Sequence, residues 1–229
     1  MTRDQITLVV AAYRIPRKLM DMFLCWNEAV FAACDVKLTL VLDRAETFIQ
    51  PWVTPLVYPV LQDQLSLPKT VNYGIRRATT DVVVKGDIDI VYSAEVLQAV
   101  LSTVTMATGF VGICANVQMP RFCRPRSWKQ AEKRRTGMGA CFALHRTSWS
   151  TLCGYNERIF GWGADDNDMY QRAKVMFHVV VSDEHPLWHV NHPERKSPVP
   201  GAFFEFRSAK NLSESRQPWY DIAWGEARP

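Results

Sequence analysis

Several features that would assign a class at once are missing from this sequence. None of its six cysteines (Cys25, Cys34, Cys114, Cys123, Cys141, Cys153) forms a Cys-x-x-Cys pair, and most sit in apolar runs. That usage argues against a zinc ribbon or a disulfide framework and reads as reduced core thiols of a cytoplasmic protein. No apolar stretch approaches the roughly 20 residues of a transmembrane helix. The longest, near Thr7–Ala12, is strand-sized, and no secretory signal is apparent. Charge of either sign is nearly cancelled: the net is +4, with an isoelectric point near 8.8, too weak to name a partner alone. There is no internal repeat, no low-complexity tract and no glycine-rich phosphate loop. Where a nucleotidyltransferase would carry such a loop, this chain has Ala11-Ala12-Tyr13-Arg14.

What is present is a chain of 229 residues, 48% hydrophobic, able to bury one full core. Its first half alternates short apolar runs with amphipathic ones. Ile6–Ala11 and Val36–Leu42 read as strands buried on both faces of a parallel sheet. Between them, Pro16 opens a helix whose Leu19, Met22, Phe23, Trp26, Val30 and Ala33 follow i, i+3, i+4 spacing. A second helix carries Leu67, Val71, Ile75 and Ala78 on one face, and Val82–Lys85 is the next strand. Ser93 caps a helix over 94–104, and Phe110–Ala115 is predicted as one further strand. This alternation predicts an α/β fold, mostly parallel, with helices on both faces. Ligands of such sheets bind beyond the carboxyl ends of the strands, where Tyr13, Asp43, Asp87 and Asp89 would stand.

Three groups of residues carry chemistry. Gly161-Trp162-Gly163-Ala164-Asp165-Asp166-Asn167-Asp168 packs three carboxylates into four positions. Like charges disfavour that crowding, and a helix starting at Asp165 would offset it through its free N–H groups. On such a helix Asp165 and Asp168 share a face while Asp166 points about 100° away from Asp165. Next, Asp87-Ile88-Asp89 ends a buried strand, and its hard oxygens suit Mg²⁺ or Mn²⁺ on a diphosphate. Finally, His189 and His192 follow the apolar run Val179–Val181. With the paired aspartates they would complete a mixed oxygen and nitrogen site suited to Mn²⁺. A separate run, Arg121–Arg135, holds seven cations with Phe122 and Trp128. It reads either as a solvated face or as a track for a polyanionic acceptor, nucleic acid or acidic glycan. The tail beyond Pro193 offers Trp219, Tyr220 and Trp224 as anchors, either covering the acceptor side or simply docked.

With these motifs in order, the chain resembles a GT-A-fold glycosyltransferase of the family-2 type, and its second half is similar to the Golgi galactosyltransferases. The resemblance rests on Gly137–Leu144, on Gly154-Tyr155-Asn156-Glu157 and on Gly161–Asp168, matching a glycine-rich strand, a "GGF(D/N)E" turn and "GWGxEDxD". More loosely, Val9–Tyr13, Asn72-Tyr73-Gly74 and Asp87-Ile88-Asp89 match the first nucleotide-binding strand, the "RNxG" helix and the DxD motif. It covers roughly residues 5 to 195 of a single domain spanning 1–229. Within that domain it implies a nucleotide-sugar half (1–115), an acceptor and catalytic half (116–195) and a tail (196–229).

The resemblance implies a metal-dependent, inverting transfer of a sugar from a nucleoside diphosphate donor, a UDP-sugar above all, to an acceptor hydroxyl. Asp166 would be the base and Asp165 the acceptor-binding carboxylate; Asp89, His189 and His192 would hold Mn²⁺ or Mg²⁺. Ala11, Tyr13, Asp43, Asn72, Asp87 and Trp162 would line the donor, with Trp162 on a lid. The chain departs from the pattern at Asp165, which is shorter than the usual Glu, and at Ala164, which replaces a glycine. Leu42-Asp43-Arg44 also lacks the tandem Asp common in family 2. The acceptor is expected to be a glycan or a polyanion such as DNA carrying hydroxylated bases. A nucleotidyltransferase and a non-catalytic sugar-nucleotide-binding module are the competing classes; the carboxylates present argue against the second.

Overall fold

The computed structural model describes residues 6–12, 15–59, 66–117, 132–135, 139–160, 164–185, 187–190 and 219–226. In chain order its elements are β1 (Ile6–Ala11), α1 (Arg17–Ala33), β2 (Val36–Leu42), β3 (Val53–Val57), α2 (Leu67–Ile75), β4 (Val82–Gly86), β5 (Ile90–Tyr92) and α3 (Ala94–Thr103). They continue with β6 (Thr108–Gly112), β7 (Ala115–Val117), β8 (Glu132–Arg135), β9 (Cys141–His145), α4 (Arg146–Thr151), α5 (Asp165–Met176), β10 (His178–Ser182) and β11 (Leu187–Val190). Seven strands form one sheet in the order β10-β6-β9-β4-β1-β2-β3, and β5-β11-β7-β8 form a second.

Apolar runs without alternation must be covered on both faces. Accordingly β1 lies between β2 and β4, parallel to both, with Leu8, Val9 and Val10 fully buried. Met20, Phe23, Leu24 and Phe31 of α1 pack into the core on one face, which also takes Leu8 and Val10. On the other, Val71 and Ile75 of α2 pack with Val9 and Val41. Serines begin two of the helices as a polar N-cap should: Ser66 Oγ accepts from Lys69 N at 3.3 Å and Ser93 Oγ from Val96 N at 3.2 Å.

The predominantly parallel α/β architecture agrees with the sequence reading, with three corrections. The strand β3 was not anticipated because Val53-Thr54-Pro55-Leu56-Val57 carries a proline; it is tolerated because β3 is an edge strand. The single strand expected over Phe110–Ala115 is two: β6 stays in the large sheet and β7 enters the small one. β9, inside the glycine-rich segment, runs antiparallel to both neighbours, β4 and β6. Among the described residues no helix is long and apolar enough to cross a membrane.

The reversal at β9 matters for the site. It brings the segment before Cys141 to the same sheet end as the carboxyl ends of β1 and β4, since Cys141 pairs with Gly86.

Candidate active site

Lys85 is the last side chain of β4 before the paired aspartates, and it is 1% exposed. Its Nζ donates to the Gly139 carbonyl at 2.8 Å and lies 2.9 Å from Asp87 Oδ1 and 3.4 Å from Asp166 Oδ1. Burial alone would lower the pKa of this ammonium, but the carboxylates of Asp166, Asp87 and Asp165 outweigh it and leave the pKa raised. Lys85 is therefore a firmly charged cation inside the protein. Asp166 stands in the first turn of α5 and accepts a second hydrogen bond on Oδ1, from the Tyr155 hydroxyl at 3.1 Å. Burial and then the nearby Asp166 and Asp165 charges hold the Tyr155 phenol far above its ordinary pKa, so it stays a donor. Gly139 closes the other side. A Cβ built there would meet Asp166 Oδ2 at 2.0 Å, so only glycine lets the carboxylate lie against this turn.

The neighbouring carboxylates have separate environments. Asp165 is buried and, among the described residues, its Oδ2 has no hydrogen-bond partner. Burial, then the Asp166 charge, pushes its pKa up to about 7 against the pull of Lys85. Asp87 is likewise raised, by the surrounding protein and then by Asp89 and Asp166, with Lys85 opposing. Its side chain keeps 36% of its surface, so solvent tempers that shift. Asp168, on the face it shares with Asp165, is committed elsewhere: Arg172 Nε and Nη2 hold its Oδ2 at 2.8 and 2.7 Å. The helix begins at Ala164, whose φ of +70° and ψ of −15° are left-handed. A side chain there costs about 1 kcal/mol or more, and this is the position where the resembled pattern has glycine.

Asp89 and His189 are brought together: His189 Nε2 lies 3.4 Å from Asp89 Oδ2. The register explains it, because β11 pairs antiparallel with β5 and Val190 N donates to the Asp89 carbonyl at 2.8 Å. This oxygen and nitrogen pair fits a borderline-hard divalent cation. Among the described residues no group of three or more His, Cys, Asp or Glu has metal-binding geometry, and His192, the third expected ligand, lies outside them. Tyr13 and Trp162 also lie outside the described residues, as do residues 121–131 of the basic segment. Ala11 ends β1 at the expected edge, and Asp43, just past β2, is 3.3 Å from Arg44.

Asn72, which the resemblance put at the donor, is fully buried within α2 and faces the turn after α4. Its Nδ2 donates to the Tyr155 carbonyl at 2.8 Å and to Glu157 Oε1 at 3.0 Å, while Tyr155 N donates to its Oδ1 at 2.8 Å. An amide with these partners and no exposed surface holds the Tyr155 turn, both of its N–H groups being used there. Gly154 belongs to the same turn. Its φ is +61°, and a Cβ there would come within 2.4 Å of Asn72 Oδ1. The C-terminal segment locks onto this unit: Gly225 N donates to Glu157 Oε1 at 2.7 Å and Trp219 Nε1 to the Cys153 carbonyl at 2.9 Å. Trp224 is buried, whereas Tyr220 is exposed. Of the three proposed anchors, two therefore dock.

Sequence reasoning missed Lys85, Tyr155 and Gly139 as parts of this site. One signal was readable: a lysine closing an apolar strand directly before two aspartates needs buried anions.

A family model described as the N-terminal domain of galactosyltransferase matches residues 120–186, the stretch from the basic segment through α5 and β10. No curated protein sequence matches the chain. Among solved structures, the catalytic domain of Drosophila beta-1,4-galactosyltransferase 7 with xylobiose superposes with a TM-score of 0.61 at 13% identity, over 95% of this chain and 81% of that one. This chain has the GT-A glycosyltransferase fold. A variant of the same Drosophila enzyme, in complex with manganese, UDP-Gal and xylobiose, gives 0.59 at 11% identity, over 95% and 82%. A mannosyltransferase from Pyrobaculum calidifontis, in complex with GDP-Man and Mn²⁺, gives 0.60 at 17% identity, over 99% and 70%. The GT-A sheet of this chain thus presents Asp87, Asp89 and Asp166 at one end.

Proposed function

We propose that this chain is a glycosyltransferase that moves a sugar from a nucleoside diphosphate donor, a UDP-sugar above all, to an acceptor hydroxyl with inversion. One observation carries the reading: Asp166 and the Asp87–Asp89 strand end, which come from opposite halves of the chain, are joined through Lys85. A base and a donor-binding pair at one place are what a single displacement requires. The superposable enzymes in complex with UDP-Gal or GDP-Man and manganese support the donor class.

Asp89 and His189 would hold a divalent cation, with His192 as the third ligand that the resemblance implies. When bound there, a divalent ion would supply neutralisation of charge on the departing diphosphate. Asp87 faces the donor ribose or sugar, and the strand ends at Ala11 and Asp43 border the nucleotide base. Asp166 takes the proton of the attacking hydroxyl, which approaches the anomeric carbon opposite the leaving group. Asp165 orients the acceptor. A screen of nucleotide sugars for Mn²⁺-dependent hydrolysis and for thermal stabilisation tests the reading. A product with retained anomeric configuration would reject the single displacement.

For the acceptor, one placement favours a polyanion. Glu132–Arg135, the end of the basic segment, forms β8 at the edge of the sheet that also carries His189 in β11. The basic segment that ends in this strand would suit phosphates, and hydroxylated bases in DNA are the most specific form of such an acceptor. Transfer to hydroxymethylated DNA and to neutral glycans, measured across a salt series, separates the two. Indifference to salt would leave the basic segment as a solvated face.

A further inference from the structure

We infer that Lys85 is a positioning residue that fixes one oxygen of Asp166 so that the other, Oδ2, takes the acceptor's proton; this rests on the glycosyl-transfer reading above. A lysine ammonium has three N–H donors. Three acceptors surround Lys85 Nζ: the Gly139 carbonyl at 2.8 Å, Asp87 Oδ1 at 2.9 Å and Asp166 Oδ1 at 3.4 Å. With 1% of the side chain exposed, no N–H remains for a substrate. Whatever Lys85 does for the reaction, it does through its partners.

Those partners single out one oxygen. Lys85 Nζ and the Tyr155 hydroxyl both approach Asp166 Oδ1, the second at 3.1 Å. Turning the carboxylate about its terminal bond would break both contacts. Oδ2 is thereby kept over Gly139, against a backbone with no Cβ to block it. Gly139 sets both halves of this arrangement, since its carbonyl anchors Nζ and its bare Cα leaves room for Oδ2. The same ammonium reaches Asp87, so the donor-side carboxylate and the base share one cation and are held at a fixed separation. A counterion serving charge balance alone would not need to direct itself to the oxygen that Tyr155 also binds.

The test is a pair of double-mutant cycles. Lys85→Met keeps the stem and removes the ammonium, and Tyr155→Phe removes only the hydroxyl. With the nucleotide sugar found by the screen, Lys85→Met should lower kcat about 10–10²-fold and Tyr155→Phe several-fold. In an Asp166→Asn background neither should lower it further, because both act through that carboxylate. Effects that multiply in the double variants would overturn the proposal. Urea denaturation of the same proteins gives a readout free of catalysis. Lys85→Met should lower the unfolding midpoint less in the Asp166→Asn background than in the wild type, and equal drops would break the link between the two residues. Should Lys85→Met fail to fold, the Tyr155→Phe cycle decides whether holding Oδ1 matters. A wild type that transfers no sugar from any donor defeats the glycosyl-transfer reading and, with it, the assignment of Oδ2. The denaturation cycle then still reports whether Lys85 and Asp166 are paired.

Discussion

Asp166 and Asp168 lie two residues apart in the first turn of α5, and their surroundings differ in kind. Asp168 meets its own guanidinium, Arg172, which is further tied to the Leu152 carbonyl at 2.8 Å. Around it, Glu157 accepts from Asn72 and Gly225, and Arg76 pairs with Glu226 at 3.0 Å. In that region each charge is met, Asp168 by Arg172 one turn along the same helix and Glu157 by an amide and a backbone N–H from other segments, which is how a structure is held. Asp166 instead shares the Lys85 ammonium with Asp87, beside a buried Asp165 whose pKa is pushed up to about 7. Four carboxylates (Asp87, Asp89, Asp165, Asp166) gather at that sheet end, and Ala164 enters it in a left-handed conformation. The contrast shows where stability is conceded: surplus negative charge and backbone strain sit where a cation and a substrate would be bound, not in the supporting clasp.

The largest expected effect is at the concession itself. Asp89→Ala should reduce sugar transfer to background and remove the rise in melting temperature expected of the wild type on adding Mn²⁺. The metal-free fold should melt nearly unchanged. Full activity of this variant in the presence of a chelator would remove Asp89 from the metal site.

Asp166→Asn keeps shape but accepts no proton, so turnover should fall about 10²-fold or more while donor binding, measured by calorimetry, survives. Product forming at the wild-type rate would mean that another group is the base.

On the clasp side, Asn72→Ala should cost about 2–4 kcal/mol of stability, because it takes the side-chain partner from both the N–H and the carbonyl of Tyr155 in a buried place and removes one donor from Glu157. Donor affinity should change little. The reverse pattern, lost affinity with an unchanged melt, would restore Asn72 to the donor site.

Asp165 should reveal itself through pH. Its folded-state pKa of about 7 lies above the ordinary carboxylate value, so the folded chain holds a proton that the unfolded chain releases. The contribution is therefore fully present below about pH 4 and is lost as pH rises toward about 7. Asp165→Asn should remove this loss, leaving the variant more stable than wild type at pH 8 by at least about 1 kcal/mol. Parallel stability curves for the two proteins from pH 5 to 8 would count against it.

The smallest effect concerns strain. Ala164→Gly should stabilise the chain by about 1 kcal/mol, because glycine enters the left-handed region without a Cβ penalty. Chemical denaturation at neutral pH checks this, and a loss of stability would mean that the Ala164 side chain packs to advantage.

By itself the sequence determined the main strands, the helices and the sheet edge that carries the chemistry. The reason is local. Ile6–Ala11, Val36–Leu42 and Val82–Lys85 are apolar throughout, and an element of that kind has few places to go. The acidic start of α5 was legible for a similar reason, since a helix N-terminus is where adjacent carboxylates are tolerated. Pairings between distant segments were not legible. Nothing near Lys85 in the chain announces that Gly139 and Asp166 will surround it, and nothing near Asn72 says that it faces Tyr155 rather than a nucleotide. The antiparallel course of β9 decided the first, by carrying Gly139 to the end of β4. The docking of the 153–157 turn and the C-terminal segment on α2 decided the second. Both follow from which buried polar groups find partners after the chain has closed on itself, a matter that residue order alone leaves open.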